Sequence, residues 1–425
     1  MSTKDLINLE ETQKEKVLLV ILSLVQIKTD WTNEELAQEM KELVKACSGD
    51  VVEIFHCRVT KPTPGHLINE IRAQEIAGIC QGLDIDTVIF SEDLKGSQQR
   101  NLEKIIKGKI IDRTQLILDI FAKHATSKEG KMQVELAQLQ YLLPRLAGKG
   151  IELSRLGGGI GTLGPGETKL EVDRRRISQR ITRLKHGLLD VSKDRALKRK
   201  KRKDRGVPVL SLVGYTNAGK STLLNTLTES SQKTKDGLFT TLDSLSRQLI
   251  LPNHQKVIIS DTVGFMQNLP HRLIESFKAT LEEVQEADVL VHVLDISDKN
   301  FRLKQEAVIS VLEELDVSKK PMITVLNKID FVTDDDFLKD ILGNFDHGVC
   351  ISAKSKINID DLLKEIIEML SSLFIEINVN VPIGRMDLVN LAHEQGEVYS
   401  IKYYNDKINI RASIPSSLFS KFKTL

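Results

Sequence analysis

The eight residues Gly214, Tyr215, Thr216, Asn217, Ala218, Gly219, Lys220 and Ser221 constrain this chain more than any other stretch. They spell G-x-x-x-x-G-K-S directly after an apolar run at 207–213 that reads as a strand. A helical pattern follows through Thr222, carrying Leu223, Leu224 and Leu227. Between a strand and a helix, this spacing builds a phosphate cradle. The glycines let backbone N–H groups turn inward around the phosphates, and the helix N-terminus adds a favourable dipole. Lys220 is placed to reach the β/γ oxygens and the Ser221 hydroxyl to ligate Mg²⁺.

Three further elements stand in the order and strand contexts that a guanine-nucleotide hydrolase requires. Asp261, Thr262, Val263 and Gly264 follow an apolar run at 257–260. The aspartate can hold the Mg²⁺ shell and the Gly264 N–H can meet a γ-phosphate. Asn327, Lys328, Ile329 and Asp330 follow a run at 322–326. An aspartate there accepts from both N1–H and the exocyclic amino group of guanine, whereas adenine presents a different edge. Ser352, Ala353 and Lys354 follow the run at 349–351 and can close over the base with backbone N–H groups. Between the phosphate loop and Asp261 lies the segment 236–243, DGLFTTLD, with Phe239, Thr240, Thr241, Leu242 and Asp243 placed to line the nucleotide. A threonine here would complete the Mg²⁺ sphere while the γ-phosphate is present and let go on hydrolysis. Thr241 is the candidate and Thr240 its rival. Lys220, Thr241 and Gly264 are the expected catalytic residues, and Ser221 and Thr241 the expected metal ligands.

The residue after Gly264 is Phe265. A glutamine there orients the attacking water in Ras-like enzymes; phenylalanine cannot hydrogen-bond water. Turnover by the isolated chain is therefore expected on the order of 10⁻⁴–10⁻² s⁻¹, with a partner speeding it.

Around this centre the chain of 425 residues is long enough for about three domains. The pattern divides it at 1–125, 126–205, 206–375 and 376–425. The first segment alternates strands at 17–25, 51–60 and 87–90 with helical stretches, one opened by Thr32 and Glu35 as a capping box. It reads as a small α/β domain with a largely parallel sheet, serving for docking. In the second, Met132, Leu136, Leu139, Leu143 and Leu146 recur at steps of four and three, with Pro144 expected to kink the helix. The seam resumes with Leu170, Ile177, Ile181, Leu184, Leu188 and Val191. The loop between, GGGIGTLGPG at 157–166, holds Gly157, Gly158, Gly159, Gly161, Gly164 and Gly166. Two heptad helices joined by one loop predict a long antiparallel hairpin. The last segment holds strands at 397–404 and 407–414, a hairpin in a small α+β domain. The fold class expected is therefore α/β, a P-loop GTPase domain flanked by these three parts.

Charge is distributed unevenly. Residues 169–205 contain sixteen Lys/Arg and five Asp/Glu, whereas the whole chain sums to +1. A dense positive strip on an otherwise acidic chain is the footprint of a polyanion contact. Arg174, Arg175 and Arg176 border the glycine loop, which lacks side-chain bulk and could thread a narrow RNA cleft. A second phosphate site on that loop is the weaker reading, because no Lys-Ser/Thr pair closes it. With 4% aromatic residues, large aromatic-lined pockets are not expected. The four cysteines are scattered without C-x-x-C spacing, against a disulfide framework or structural zinc and in favour of a reducing compartment. No apolar run approaches the ~20 residues of a membrane span, and no secretory signal stands at the start. A monomer in the cytoplasm is the expectation, with no sequence indication of peripheral membrane association.

Taken together, the run GGGIGTLGPGETKLEVDRRRI at 157–177, the loop GYTNAGKST at 214–222, and DGLFTTLD followed by DTVGF resemble the HflX family of translation-associated GTPases. The resemblance is close over most of 130–375 and loose over the first 125 residues. It implies GTP hydrolysis with Mg²⁺, binding to the large (50S) ribosomal subunit, and GTP-linked ribosome splitting or rescue, or a role in ribosome biogenesis. It places the glycine loop and adjoining helix against ribosomal RNA, favours Thr241 over Thr240, and through Asn217 raises K⁺ as a second cation. Two departures stand out. Ser244 occupies the place of the family's usual proline after the first switch, and 65–72 reads GHLINEIR in place of the family's G-x-G-K stretch, against a second nucleotide site. The alternatives are a tRNA-modification or ribosome-assembly GTPase, and a signalling GTPase that does not touch RNA.

Overall fold

The computed structural model describes residues 14–25, 31–146, 169–204, 206–228, 245–267, 278–372 and 374–423. They gather into two compact units, 1–186 and 187–425, which share one long helix between them.

In the first unit, β1 (Lys16–Leu24), β2 (Asp50–Val59), β3 (Thr87–Phe90) and β4 (Lys109–Asp112) form a parallel sheet in the order β2-β1-β3-β4. The expected α/β domain with a parallel sheet is present. Residues Val17, Leu18, Leu19, Val20 and Ile21 of β1 are all buried, as expected of a central strand covered on both faces. The helix α1 (Asn33–Ala46) begins with the predicted capping box, Thr32 accepting from Glu35 N and Glu35 accepting from Thr32 N. α2 (Glu70–Leu83) is a further helical stretch between the second and third strands. α3 (Gly96–Ile106), β4 and α4 (Arg113–His124) were not read there. β4 is four residues long, too short to show a period.

α5 (Lys128–Leu146) carries the first heptad run, but its buried face differs from the seam expected. Leu136 is buried, yet Met132, Leu139 and Leu143 are only half-buried, while Gly130, Gln133, Val134, Ala137 and Tyr141 are buried. The helix packs on α4 and α3, and these neighbours select the face. A buried polar knot fixes it there: Tyr141 Oη donates to Asp112 Oδ1 at 2.9 Å, and Arg145 Nη2 donates to Asp112 Oδ2 at 2.8 Å and to Leu94 O at 2.6 Å. Pro144 lies within the helix, two residues before its end.

α6 (Lys169–Asp204) is one uninterrupted helix of 36 residues, about 54 Å at ~1.5 Å per residue. Of the predicted stripe, Ile177, Ile181, Leu188 and Val191 are half-buried and Leu184 is buried. Arg180 makes a two-pronged ion pair with Glu135 of α5, both N···O distances 2.7 Å. The glycine loop at 157–166 lies outside the described residues.

The second unit is built on a six-stranded sheet of β5 (Val209–Val213), β6 (Leu245–Ile250), β7 (Lys256–Asp261), β8 (Val289–Asp295), β9 (Met322–Asn327) and β10 (Gly348–Cys350). The order is β10-β9-β8-β5-β7-β6, parallel except for the edge strand β6, which runs antiparallel to β7. Leu210, Leu212, Val257, Ile259, Val291, Val293, Ile323 and Val325 form one core face of the sheet. Packed there are α7 (Lys220–Leu227), through Leu223, Leu224 and Leu227, and α11 (Ile359–Ser371), through Leu362 and Ile366. Between these helices in sequence lie α8 (Lys278–Glu286), α9 (Phe301–Glu314) and α10 (Asp335–Leu342).

The C-terminal part is a three-stranded antiparallel sheet, β11 (Phe374–Pro382), β13 (Lys407–Pro415) and β12 (Glu397–Tyr403) in that order. The predicted hairpin of β12 and β13 is there, and β11 adds a third strand on the far edge of β13. α12 (Met386–Gln395) buries Leu388, Val389 and Ala392 in the core of this sheet. No described helix is long and apolar enough to cross a membrane.

Candidate functional site

The phosphate loop leaves β5 at Val213 and enters α7 at Lys220. Gly219 caps that helix at φ +99°, and a Cβ there would lie 2.2 Å from Asn327 Nδ2. Both the left-handed backbone and this close approach require glycine. Lys220 is buried, and its Nζ donates to Gly214 O at 3.0 Å and Tyr215 O at 2.8 Å. Burial lowers its pKa to about 8, opposed by the charge of Asp261. The ammonium is thus held at the mouth of the loop with little solvent to satisfy it, an arrangement that a phosphate oxygen would relieve.

Ser221 Oγ donates to Asp261 Oδ2 at 2.5 Å, joining the start of α7 to the end of β7. A hydroxyl and a carboxylate side by side suit Mg²⁺, which prefers one or two protein oxygens with phosphates and water to an all-protein cage. Among the described residues no group of three or more His, Cys, Asp or Glu stands ready for a metal. The other expected ligand, Thr241, lies outside the described residues, as do Phe239, Thr240, Leu242 and Asp243. Thr222 follows inside the first turn of α7, and Asn217 is exposed at φ +63°.

The Asp261–Phe265 stretch folds back over the loop. Thr262 Oγ1 donates to Leu212 O at 2.7 Å, Phe265 N donates to Gly214 O at 3.1 Å, and Thr216 N donates to Phe265 O at 2.8 Å. A Cβ on Gly264 would lie 2.9 Å from Thr216 Cα and 3.1 Å from Lys220 Nζ, so the backbone here is pressed against both. Val263 and Phe265 are buried. Tyr215, read in the sequence only as a loop residue, anchors this contact: its hydroxyl accepts from Gln267 N at 3.0 Å.

The base-side loops are tied to the same centre. Asn327 Nδ2 donates to Ala218 O at 2.8 Å, and its Oδ1 accepts from Ala353 N at 3.0 Å. One buried amide thereby links the phosphate loop to the 352–354 loop. Lys328 reaches Asp295 Oδ2 at 2.6 Å, a partner that no motif in the sequence announced. Ile329 N donates to Ile351 O at 3.2 Å, and Asp330 stands exposed on the short turn Ile329–Phe331. Ser352 is buried, its Oγ accepting from Ser355 N, and Lys354 is exposed beside it.

His292 was not singled out in the sequence. It is fully buried in β8, and neither ring nitrogen has a hydrogen-bond partner among the described residues. Burial, aided by the charge of Lys220, lowers its pKa to about 4. Arg174, Arg175 and Arg176 lie exposed on α6, and the six loop glycines lie outside the described residues.

Three family descriptions match consecutive stretches: GTP-binding GTPase N-terminal over 34–122, GTP-binding GTPase middle region over 124–202, and 50S ribosome-binding GTPase over 209–328. "GTPase HflX" of Caldanaerobacter subterraneus subsp. tengcongensis is 41% identical over 98% of this chain and 95% of its own length. "GTPase HflX" of Escherichia coli is 40% identical over 84% of this chain and 83% of its own length. A GTP-binding protein from Sulfolobus solfataricus, solved in complex with GDP, is 26% identical and covers 84% of this chain and 99% of its own, with a TM-score of 0.44. With the 214–221 loop, the Ser221–Asp261 pair and the Asn327 and Ala353 loops joined by hydrogen bonds, and with the HflX relatives matching along nearly the whole sequence, the chain is a GTP hydrolase of the HflX family.

Proposed function

We propose that this GTPase binds the large ribosomal subunit in its GTP state and separates subunits, in rescue or in ribosome biogenesis. The observation that carries the reading is α6. One unbroken helix leads from the edge of the glycine loop to the residues just before β5, within a stretch carrying sixteen basic and five acidic residues. Phosphate contact by such a helix is strong and salt-dependent. Arg174, Arg175 and Arg176 are its leading contacts, and Gly157, Gly158, Gly159, Gly161, Gly164 and Gly166 leave the loop before it without side-chain bulk, which suits an RNA cleft. The relatives' family description, a 50S ribosome-binding GTPase, supports the same partner.

In the nucleotide site, Lys220 and the loop amides hold the β- and γ-phosphates, Asp330 selects guanine, and Gly264 N–H senses the γ-phosphate. Ser221 and Thr241, with Asp261 behind Ser221, would hold Mg²⁺, which neutralises charge on the phosphate oxygens. Asn217 would hold K⁺. Phe265 supplies no water-orienting group, so the partner sets the rate. The chain acts as a monomer, with 1–125 as a docking domain, 126–205 as the RNA arm, 206–375 as the GTPase domain and 376–425 as an appendage.

Sucrose-gradient analysis of purified ribosomes tests this. With GTP the chain should convert whole ribosomes into subunits, and with GDP it should not. Intact ribosomes in both cases, with normal GTP binding, would remove the splitting role. Binding to tRNA in place of subunits would favour the modification alternative.

A further inference from the structure

Two adjacent glutamates on α8 join parts of the second unit that no motif connects. Glu282 accepts from Ser192 Oγ of α6 at 3.3 Å and 3.4 Å through its two carboxylate oxygens. Arg195 Nη2, one turn further along α6, lies 3.7 Å from Glu282 Oε2. The two side chains are only 15% and 22% exposed, so this charge pair is largely shielded from solvent. Glu283, the next residue, is buried and accepts from Ser246 Oγ of β6 at 3.2 Å. Leu281 and Val284 are buried on the same helix and fix its depth.

The position of α8 in the chain gives these contacts meaning. The segment 236–243 leads directly into β6, and 261–265 is followed by α8 as the next described element. The strand that follows 236–243 thus meets, at Glu283, the helix that comes next among the described residues after 261–267, and the neighbouring Glu282 of that helix holds the basic helix. We infer that Glu282 is the positioning residue through which the γ-phosphate loops and the basic helix sense one another. The inference rests on the proposed nucleotide-dependent RNA arm and names its point of control.

A partly desolvated ion pair suits this role because shielding from water strengthens its attraction and its hydrogen bond forms only at short range. At 3.7 Å the guanidinium is near, but not at, hydrogen-bonding distance. A shift of α8 by about an ångström would either close the contact or part it. Linkage then makes the effect reciprocal: what the nucleotide does to the helix, RNA on the helix does to nucleotide affinity.

Hydrogen exchange on the full chain tests the inference without ribosomes. Amides of 187–197 should exchange at rates differing by at least about fivefold between a non-hydrolysable GTP analogue and GDP, the lower end of ordinary allosteric coupling. Glu282→Gln should abolish that difference while still binding the analogue, whereas Glu286→Gln, an exposed neighbour on α8, should keep it. A state difference that survives in Glu282→Gln, or none in the unsubstituted chain, overturns the inference. Subunit binding measured beside it separates the two ideas. If the unsubstituted chain binds subunits and Glu282→Gln keeps the full nucleotide dependence, the inference falls and the proposed function stands. If no variant binds subunits but exchange behaves as stated, the reverse holds.

Discussion

Ser221 and Asp261 share a hydrogen bond of 2.5 Å between the first turn of α7 and the end of β7. A hydroxyl and a carboxylate this close form the side of the site expected to take Mg²⁺. Ser221→Ala removes the expected ligand and the donor to Asp261 together. Hydrolysis should fall on the order of 10²-fold, and the Mg²⁺ dependence of GTP affinity should flatten. A Mg²⁺ titration of nucleotide affinity checks it; an unchanged profile would show that the ion is held elsewhere.

Base selection should rest on Asp330. Its carboxylate is exposed on a short turn, so changing it leaves the core intact. Asp330→Asn replaces an acceptor of two guanine protons by an amide that matches xanthine. GTP affinity should drop by at least about 10²-fold and XTP affinity should rise. Competition between the two nucleotides reads this directly, and retained guanine preference would place recognition on another residue.

Lys220 gives nucleotide binding a pH signature. Its pKa is lowered to about 8 by burial, and a bound phosphate raises it again. The complex then holds more protons than the free protein above pH 8. Affinity should therefore weaken as pH rises through about 8, with proton uptake on binding. Calorimetry at pH 8.5 in buffers of different ionisation enthalpy measures that uptake, and zero uptake would contradict the assignment.

His292 gives stability a pH signature of the opposite kind. Its folded pKa is lowered to about 4 by burial and the nearby Lys220 charge, against about 6.5 in an unfolded chain. The unfolded state alone takes up a proton between these values. The contribution is complete above pH 6.5 and is lost as pH falls toward 4, to the extent of roughly 3 kcal/mol. His292→Leu should reduce that acid sensitivity while leaving stability at pH 7.5 equal or greater. Urea unfolding at pH 7.5 and 5.0 decides it; an equal acid loss in both proteins would clear His292.

The nucleotide loops were readable because their chemistry is local. Lys220, Asp261, Asn327 and Ala353 each needed a fixed residue type next to a strand end, and each strand showed its apolar run. The capping box at Thr32 and Glu35 was readable for the same reason. What escaped depends on partners distant in sequence. α5 shows a leucine seam, but α3 and α4 decide that Val134, Ala137 and Tyr141 face inward. β6 is an edge strand whose residues alternate weakly, with only Leu249 buried. The partner of Lys328 at Asp295, and the hydrogen bond from Gln267 to Tyr215, join segments that no spacing rule relates.

Co-sedimentation of the chain with purified large subunits tests the central claim most directly. Pelleting should be strong with a non-hydrolysable GTP analogue, weak with GDP, and much reduced in either state when Arg174, Arg175 and Arg176 are changed together to glutamine. Equal pelleting with both nucleotides, or a triple variant that binds as well as the unsubstituted chain, would contradict a GTP-controlled helix that grips ribosomal RNA.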